Sequence, residues 1–162
     1  MPPHIRFREC ESKIGFKVTF VKANIRIPMP AQNTSEALEQ LFLALGDRTR
    51  VRLINLMAAG EVCVCFFVEV LDEPQPKISR HLAYLRKTGL VAARRDAKWM
   101  HYRIVPPQQA TVKKAFEAIT ATFADDAQLQ RDRAALAKAC CSPRAPEQLR
   151  RAPKPISLSP ES

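Results

Sequence analysis

The hydrophobic pattern of the chain changes its period at Gly89, and this change limits the folds that the chain can adopt. Before it, apolar side chains recur every three or four positions, at Ile78, Leu82 and Leu85, as on the buried face of a helix. After it, residues 90–105 hold aromatic and β-branched side chains around a short polar turn, which is typical of a β-hairpin. The sequence therefore predicts a helix that leads directly into a hairpin.

Five further helices are expected on either side of this unit. Asn33 and Asp47 are suitable N-cap residues, and Gly46 ends the helix that lies between them. The apolar spacing predicts these helices at 34–45, 48–59, 65–71, 109–124 and 126–141. Two helices joined by a short turn and followed by a hairpin define the fold class, which is mainly α with a β-hairpin wing (α+β), a winged helix-turn-helix.

A length of 162 residues allows one domain with tails. We assign residues 33–124 to the winged helix-turn-helix domain and 125–141 to a C-terminal helix that ends in a Cys pair. The Pro-, Ser- and Arg-rich residues 142–162 predict a disordered tail. Residues 1–32 are an N-terminal extension: a flexible segment, an extra strand or arm, or upstream sequence with Met29 as the true first residue.

The net charge of +10 favours a polyanionic partner, nucleic acid before membrane. Residues 77–103 hold eight basic side chains and one acid, so the charge concentrates on the predicted helix and hairpin. Side chains of the types that contact bases and phosphates make up the predicted DNA-binding set. They are Gln75, Lys77, Ser79, Arg80, His81 and Tyr84 on the helix, and Arg94, Arg95 and Lys98 at the hairpin.

The chain has neither an apolar run of 18 residues nor a secretory signal, so we expect a cytoplasmic protein without a membrane partner. In that reducing compartment its five cysteines are expected to be thiols. The sequence offers no Cys-x-x-Cys, no phosphate loop of the Cys-x5-Arg type and no Gly-rich phosphate loop, which argues against an enzyme. No organic cofactor is expected.

The motif Cys63-Val64-Cys65 is the sharpest chemical feature, because paired thiolates select soft ions such as As(III), Sb(III), Cd(II) and Pb(II). On a regular helix residues two apart lie about 200° apart, so both sulfurs could bind one ion only where the backbone is extended. We therefore expect ion capture to unwind or tilt the start of the third helix. Because that helix belongs to the helix-turn-helix, ion binding would disturb DNA binding.

At this point the sequence resembles the ArsR/SmtB family of bacterial metal-sensing repressors. The resemblance runs over residues 36–105, and its most specific stretches are 42–52 (FLALGDRTRVR), 61–65 (EVCVC), 75–85 (QPKISRHLAYL) and 87–91 (KTGLV). It implies a homodimer in which the first and fifth helices pack across the two-fold axis. It also implies double-stranded operator DNA as the partner and, from the Cys-Val-Cys, an arsenic-type sensor.

The sequence departs from the arsenic sensors of the family at one position. These sensors often carry a third cysteine three residues after the second, where this chain has Val68. The third ligand is then Cys140, Cys141 or Cys10, or is absent. The family's other site, of Asp, His and Glu on the fifth helix, is not expected, since residues 109–117 hold no histidine.

The leading hypothesis is a repressor that leaves its operator when As(III) or Sb(III) binds Cys63 and Cys65, with Cys140 and Cys141 as further metal ligands. Two alternatives keep the DNA-binding dimer and change the signal. In one the inducer is Cd(II) or Pb(II). In the other the cysteines form a thiol-redox or persulfide switch.

Overall fold

The computed structural model describes residues 33–58, 60–141 and 151–153, and only the backbone of Cys141. The elements in these ranges are α1 (Thr34–Leu45), α2 (Arg48–Met57), β1 (Val62–Cys63), α3 (Val64–Leu71), α4 (Gln75–Lys87), β2 (Val91–Asp96), β3 (Trp99–Ile104), α5 (Ala110–Ala121), a 3₁₀ helix (Thr122–Asp125) and α6 (Ala127–Cys141). The predicted extension at 1–32 and most of the predicted tail lie outside the described residues.

Short polar side chains define where the first two helices begin. The Asn33 side chain accepts a hydrogen bond from the Ser35 amide at 3.1 Å, and Asp47 accepts one from the Arg50 amide at 2.9 Å. Each bond satisfies an amide that the first helical turn leaves without an intrahelical partner. Both caps confirm the sequence prediction.

The hairpin is also confirmed, but it belongs to a larger sheet. The strand order is β1-β3-β2, and both pairings are antiparallel. In this sheet β1 places Val62 opposite Tyr102 and Cys63 opposite His101. The sequence did not predict β1, because two residues are too short a run for a period of two to be recognised.

The core forms where the helix-turn-helix meets the sheet and the helices around it. Phe66 and Phe67 of α3 are fully buried, as are the three predicted apolar residues of α4. The Phe67 ring lies 6.3 Å from the Tyr102 ring and so joins α3 to β3. On the other side α6 packs against α2 and α3. The architecture is therefore the expected mainly α winged helix-turn-helix.

No helix in the described ranges combines the length and the apolar composition needed to cross a membrane.

Candidate ion site and nucleic-acid interface

The two cysteines of the Cys-Val-Cys motif lie side by side at the junction of β1 and α3. Cys63 ends β1 with an extended backbone (φ −72°, ψ 143°) and is the N-cap of α3, whereas Cys65 lies in the first turn of that helix. Their sulfur atoms are 3.4 Å apart. The sulfurs lie close together because Cys63 belongs to the strand, and the expected unwinding or tilting of the helix on ion capture stays a prediction.

The pKa values of the two thiols are shifted in opposite directions. The hydrogen bond between the thiols lowers the pKa of Cys65 to about 7, although burial acts in the opposite direction. The same bond, together with burial, raises the pKa of Cys63 well above its usual range. Cys63 is fully buried and Cys65 is half-buried, so the accessible sulfur is also the one with thiolate character near neutral pH.

Among the residues that the structure describes, no third ligand joins this pair. Within the described residues no three His, Cys, Asp or Glu side chains cluster in a way that could hold a metal ion. Cys140 is buried near the end of α6, which packs against α3, but it forms no such cluster with the pair. Cys10 and the side chain of Cys141 lie outside the described residues.

Glu61 connects the cysteine motif to the wing. Its Oε1 accepts hydrogen bonds from Arg94 Nη2 at 2.6 Å and from Arg94 Nε at 3.1 Å. It also lies 3.7 Å from Nδ1 of His101, the residue opposite Cys63 in the sheet. Burial lowers the pKa of His101, so this imidazole is neutral at pH 7. Sequence reasoning missed Glu61, whose only signal was its place two residues before Cys63.

The outer face of α4 holds part of the predicted DNA-binding set. The side chains of Gln75, Ser79 and Arg80 are exposed, and they lie in the first half of the helix. Lys77 is half-buried and its ammonium bonds Glu73 at 2.6 Å. In a helix-turn-helix the N-terminal half of this helix meets base edges, so the three exposed residues are the ones placed to do so.

The other two residues of the predicted set on α4 face neighbouring helices. His81 Nδ1 lies 3.3 Å from the Asp47 carboxylate at the start of α2. The Tyr84 ring is covered by the guanidinium of Arg50, whose central carbon is 4.4 Å from the ring centroid. Both side chains are half-buried.

The wing places its three predicted cations around an exposed turn. Arg94 is held by Glu61 and Asp96, while Arg95 donates to the Ala97 carbonyl at 3.0 Å. The Lys98 ammonium lies 5.0 Å from the centroid of the Trp99 ring. Arg95 and Lys98 therefore have no acidic partner at the tip among the described residues, whereas Arg94 has two.

The sequence of this chain is similar to those of known proteins. A family profile described as bacterial regulatory protein, arsR family, matches residues 47–93. The chain is 47% identical over 79 residues to the arsenical resistance operon repressor of Escherichia coli K12, an alignment that spans 48% of this chain and 68% of that relative. This chain belongs to the arsR family. The regulator is also 48% identical over 67 residues to the arsenic resistance transcriptional regulator ArsR2 of Pseudomonas putida KT2440, spanning 41% of this chain and 58% of that relative.

Among solved structures, the regulator is similar to HlyU from Vibrio cholerae N16961, with a TM-score of 0.50 and 25% sequence identity. The match covers 57% of this chain and 98% of HlyU. Nearly all of that smaller protein thus has a counterpart in the described helices and sheet, which supports the fold.

Proposed function

We propose that this ArsR-family regulator is a homodimeric transcriptional repressor that leaves its operator when As(III) or Sb(III) binds Cys63 and Cys65. The observation that carries the proposal is the 3.4 Å separation of the two sulfurs at the β1–α3 junction. Two cysteine sulfurs at this distance can chelate one soft ion, which releases the thiol protons as it binds. The sequence similarity to repressors named for arsenical resistance supports the same inducer class.

A pyramidal ion could bind the two sulfurs at nearly the separation that they have without an ion. With sulfur–ion bonds of about 2.3 Å, as in zinc sites, 3.4 Å between the sulfurs corresponds to an angle of about 95° at the ion. A tetrahedral angle with the same bonds needs about 3.8 Å. Trivalent arsenic and antimony carry a lone pair that compresses their bond angles below tetrahedral. Cd(II), with longer bonds and more ligands, would require the pair to spread.

The position of the pair gives ion binding a route to the DNA-binding surface. Cys63 belongs to the sheet that contains the wing, and Cys65 belongs to the first helix of the helix-turn-helix. An ion held by both sulfurs fixes the strand end against the helix start. Any change in their relative orientation moves the wing and α4 with respect to each other, which alters how they fit successive grooves and phosphates.

An exposed apolar face on α1 supports the dimer. Phe42 and Leu43 are 57% and 48% exposed, although the other large apolar side chains of the described chain are at least half-buried. We propose a second copy of this chain as the occupant of that face, since two-fold pairing of α1 and α5 gives two α4 helices that read a pseudo-palindromic site.

The third donor is proposed to be Cys140, Cys141 or Cys10, or to be absent. Among the described residues Cys140 belongs to no preformed cluster with the pair, so its contribution would require movement of the end of α6 or a residue of the second subunit. Cys140→Ser, Cys141→Ser and Cys10→Ser variants test this directly. A loss of arsenite affinity in one of them identifies the donor, and wild-type affinity in all three leaves a two-sulfur site.

The test of the proposal begins with selection of binding sites from randomised duplexes by the reduced protein. Fluorescence anisotropy on the selected duplex then follows titration with arsenite, antimonite, Cd(II) and Zn(II). We expect an inverted repeat and release near one equivalent of arsenite or antimonite per subunit. The double variant Cys63→Ser, Cys65→Ser should bind the duplex and ignore arsenite. Release of that variant by arsenite would place the sensing site elsewhere.

A second candidate signal is oxidation, and the lowered pKa of Cys65 favours it. A half-buried thiolate near neutral pH reacts with peroxide or polysulfide more readily than an ordinary thiol. The same anisotropy assay tests this candidate. If the ions leave DNA binding unchanged and peroxide or polysulfide abolishes it, the protein is a redox repressor. Release by Cd(II) alone would identify a Cd/Pb-type sensor instead.

A further inference from the structure

We infer that Arg50 and Tyr84 are positioning residues that set the orientation of α4 for operator binding. The inference rests on the proposed function, since it concerns how the regulator recognises DNA. It also changes the role expected for Tyr84, which the sequence placed among the residues that contact DNA.

Arg50 is anchored at the end of α1. Its Nε donates to the Ala44 carbonyl at 2.6 Å, and its Nη2 donates to the Leu43 carbonyl at 2.7 Å. These carbonyls belong to the last turn of α1, where they have no intrahelical partner, and a cation there also complements the helix dipole. Two bonds at two guanidinium nitrogens fix the plane of the group.

The fixed guanidinium plane supports the Tyr84 ring from α4. The distance of 4.4 Å from the guanidinium carbon to the ring centroid is within the range of a cation–π contact. One turn earlier on the same side of α4, His81 lies 3.3 Å from Asp47, which also caps α2. Thus α4 is held at two successive positions by the junction between α1 and α2.

This contact controls the rotation of α4 about its own axis. The buried apolar stripe of α4 holds the helix against the core but allows small rotations about the helix axis, since apolar packing is not directional. Tyr84 and His81 lie on one side of that stripe with the exposed Arg80 beyond them, and the exposed Ser79 lies on the opposite side of the stripe. A small rotation of α4 would displace Ser79 and Arg80 across the edges of the bases, where hydrogen bonds require precise geometry.

The prediction separates specific from non-specific binding. Loss of the contact between Arg50 and the Tyr84 ring should remove about one base contact. Binding to the selected duplex should then weaken about tenfold. Binding to a scrambled duplex depends on phosphate contacts and should stay within about twofold of wild type.

The experiment compares Tyr84→Leu with the matched control Tyr84→Phe in the full-length, reduced protein. Phe keeps the ring under Arg50 and removes only the hydroxyl, so we expect wild-type binding to both duplexes. The Leu variant lacks the ring, and we expect its affinity to fall about tenfold for the selected duplex only. If Phe lost as much as Leu, the hydroxyl would be a DNA contact and the inference would be overturned. Equal affinity of both variants and wild type would overturn it as well.

Arg50→Lys tests the same contact by changing the arginine instead of the tyrosine. It also replaces Tyr84→Leu as the test if that variant does not fold. An ammonium keeps the charge but cannot bond two carbonyls and cover the ring in one geometry. We expect the same selective loss with an unchanged salt dependence on the scrambled duplex. A salt slope reduced by about one would show that Arg50 neutralises a phosphate, against the inference. A wild-type protein that selects no duplex would refute the proposed function instead.

Discussion

The ion pair between Arg52 and Asp132 is bidentate and largely buried, and Asp132→Asn tests its contribution to stability. Arg52 donates to the two carboxylate oxygens through Nε at 2.6 Å and Nη2 at 2.8 Å, which ties α2 to α6. Gln128 donates to the same carboxylate at 2.9 Å. The bond to Asp132 raises the pKa of Arg52, although burial opposes the rise.

The expected loss of stability follows from how deeply each partner of the ion pair is buried. The Asp132 side chain is 3% exposed and the Arg52 side chain is 19% exposed. Breaking a fully buried pair costs about 3–5 kcal/mol, because one charge is left without a partner. Water can reach the guanidinium in part, and the Asn amide keeps one acceptor oxygen. We therefore expect Asp132→Asn to reduce the free energy of unfolding by about 2 kcal/mol and Asp132→Ala by about 3 kcal/mol.

Urea denaturation followed by circular dichroism measures this difference. The matched control is Glu117→Gln, which removes the exposed pair with Lys113 at 3.9 Å on α5. Such a pair contributes about 0.3 kcal/mol. If Asp132→Asn and Glu117→Gln changed the unfolding free energy equally, the Arg52–Asp132 contact would not anchor α6 in solution.

Three further predictions concern the site, the wing and the dimer. Peptide-resolved alkylation with iodoacetamide should modify Cys65 with a rate that rises through a midpoint near pH 7, because the thiolate fraction grows as pH passes the pKa. In Cys63→Ala the midpoint should move up towards about 8.5, and a wild-type midpoint already at that value would refute the thiol–thiol hydrogen bond. Ala97 has a φ of 49° in the hairpin turn, so Ala97→Gly should raise the unfolding free energy by about 0.5–1 kcal/mol, and a decrease in urea denaturation would contradict this. Phe42→Ser should weaken the proposed dimer by about 100-fold in analytical ultracentrifugation, since both copies lose an apolar contact, and an unchanged dimer would locate the interface elsewhere.

Local signals explain how much of the fold the sequence could predict. The caps at Asn33 and Asp47, the α4 stripe and the change of period at Gly89 all depend on neighbouring residues, and the structure confirms them. The strand β1 could not be predicted in this way. Its two residues become a strand only through pairing with β3, which follows them by more than thirty positions in the sequence.

The same limit applies to the candidate site. Cysteine spacing was enough to identify the pair, but whether the backbone there is helical or extended could not be decided without the pairing of Cys63 with β3. The polar types on α4 predicted six DNA-binding side chains, and the structure adds that two of them contact the α1–α2 junction. Residue type alone cannot distinguish a tyrosine that contacts DNA from one that stacks under an arginine, because the deciding partner, Arg50, lies far away in the sequence.

The short strand that contains Cys63 has a consequence for how such a regulator can diverge. Because one sulfur belongs to the sheet and the other to a helix, the proposed ion site and the proposed DNA-binding elements share the same backbone segment. An insertion or deletion between Glu61 and Cys65 would shift the register with β3 and flip the side chains of the strand to the opposite face. New inducers are therefore expected to arise by side-chain replacement at fixed length in this segment.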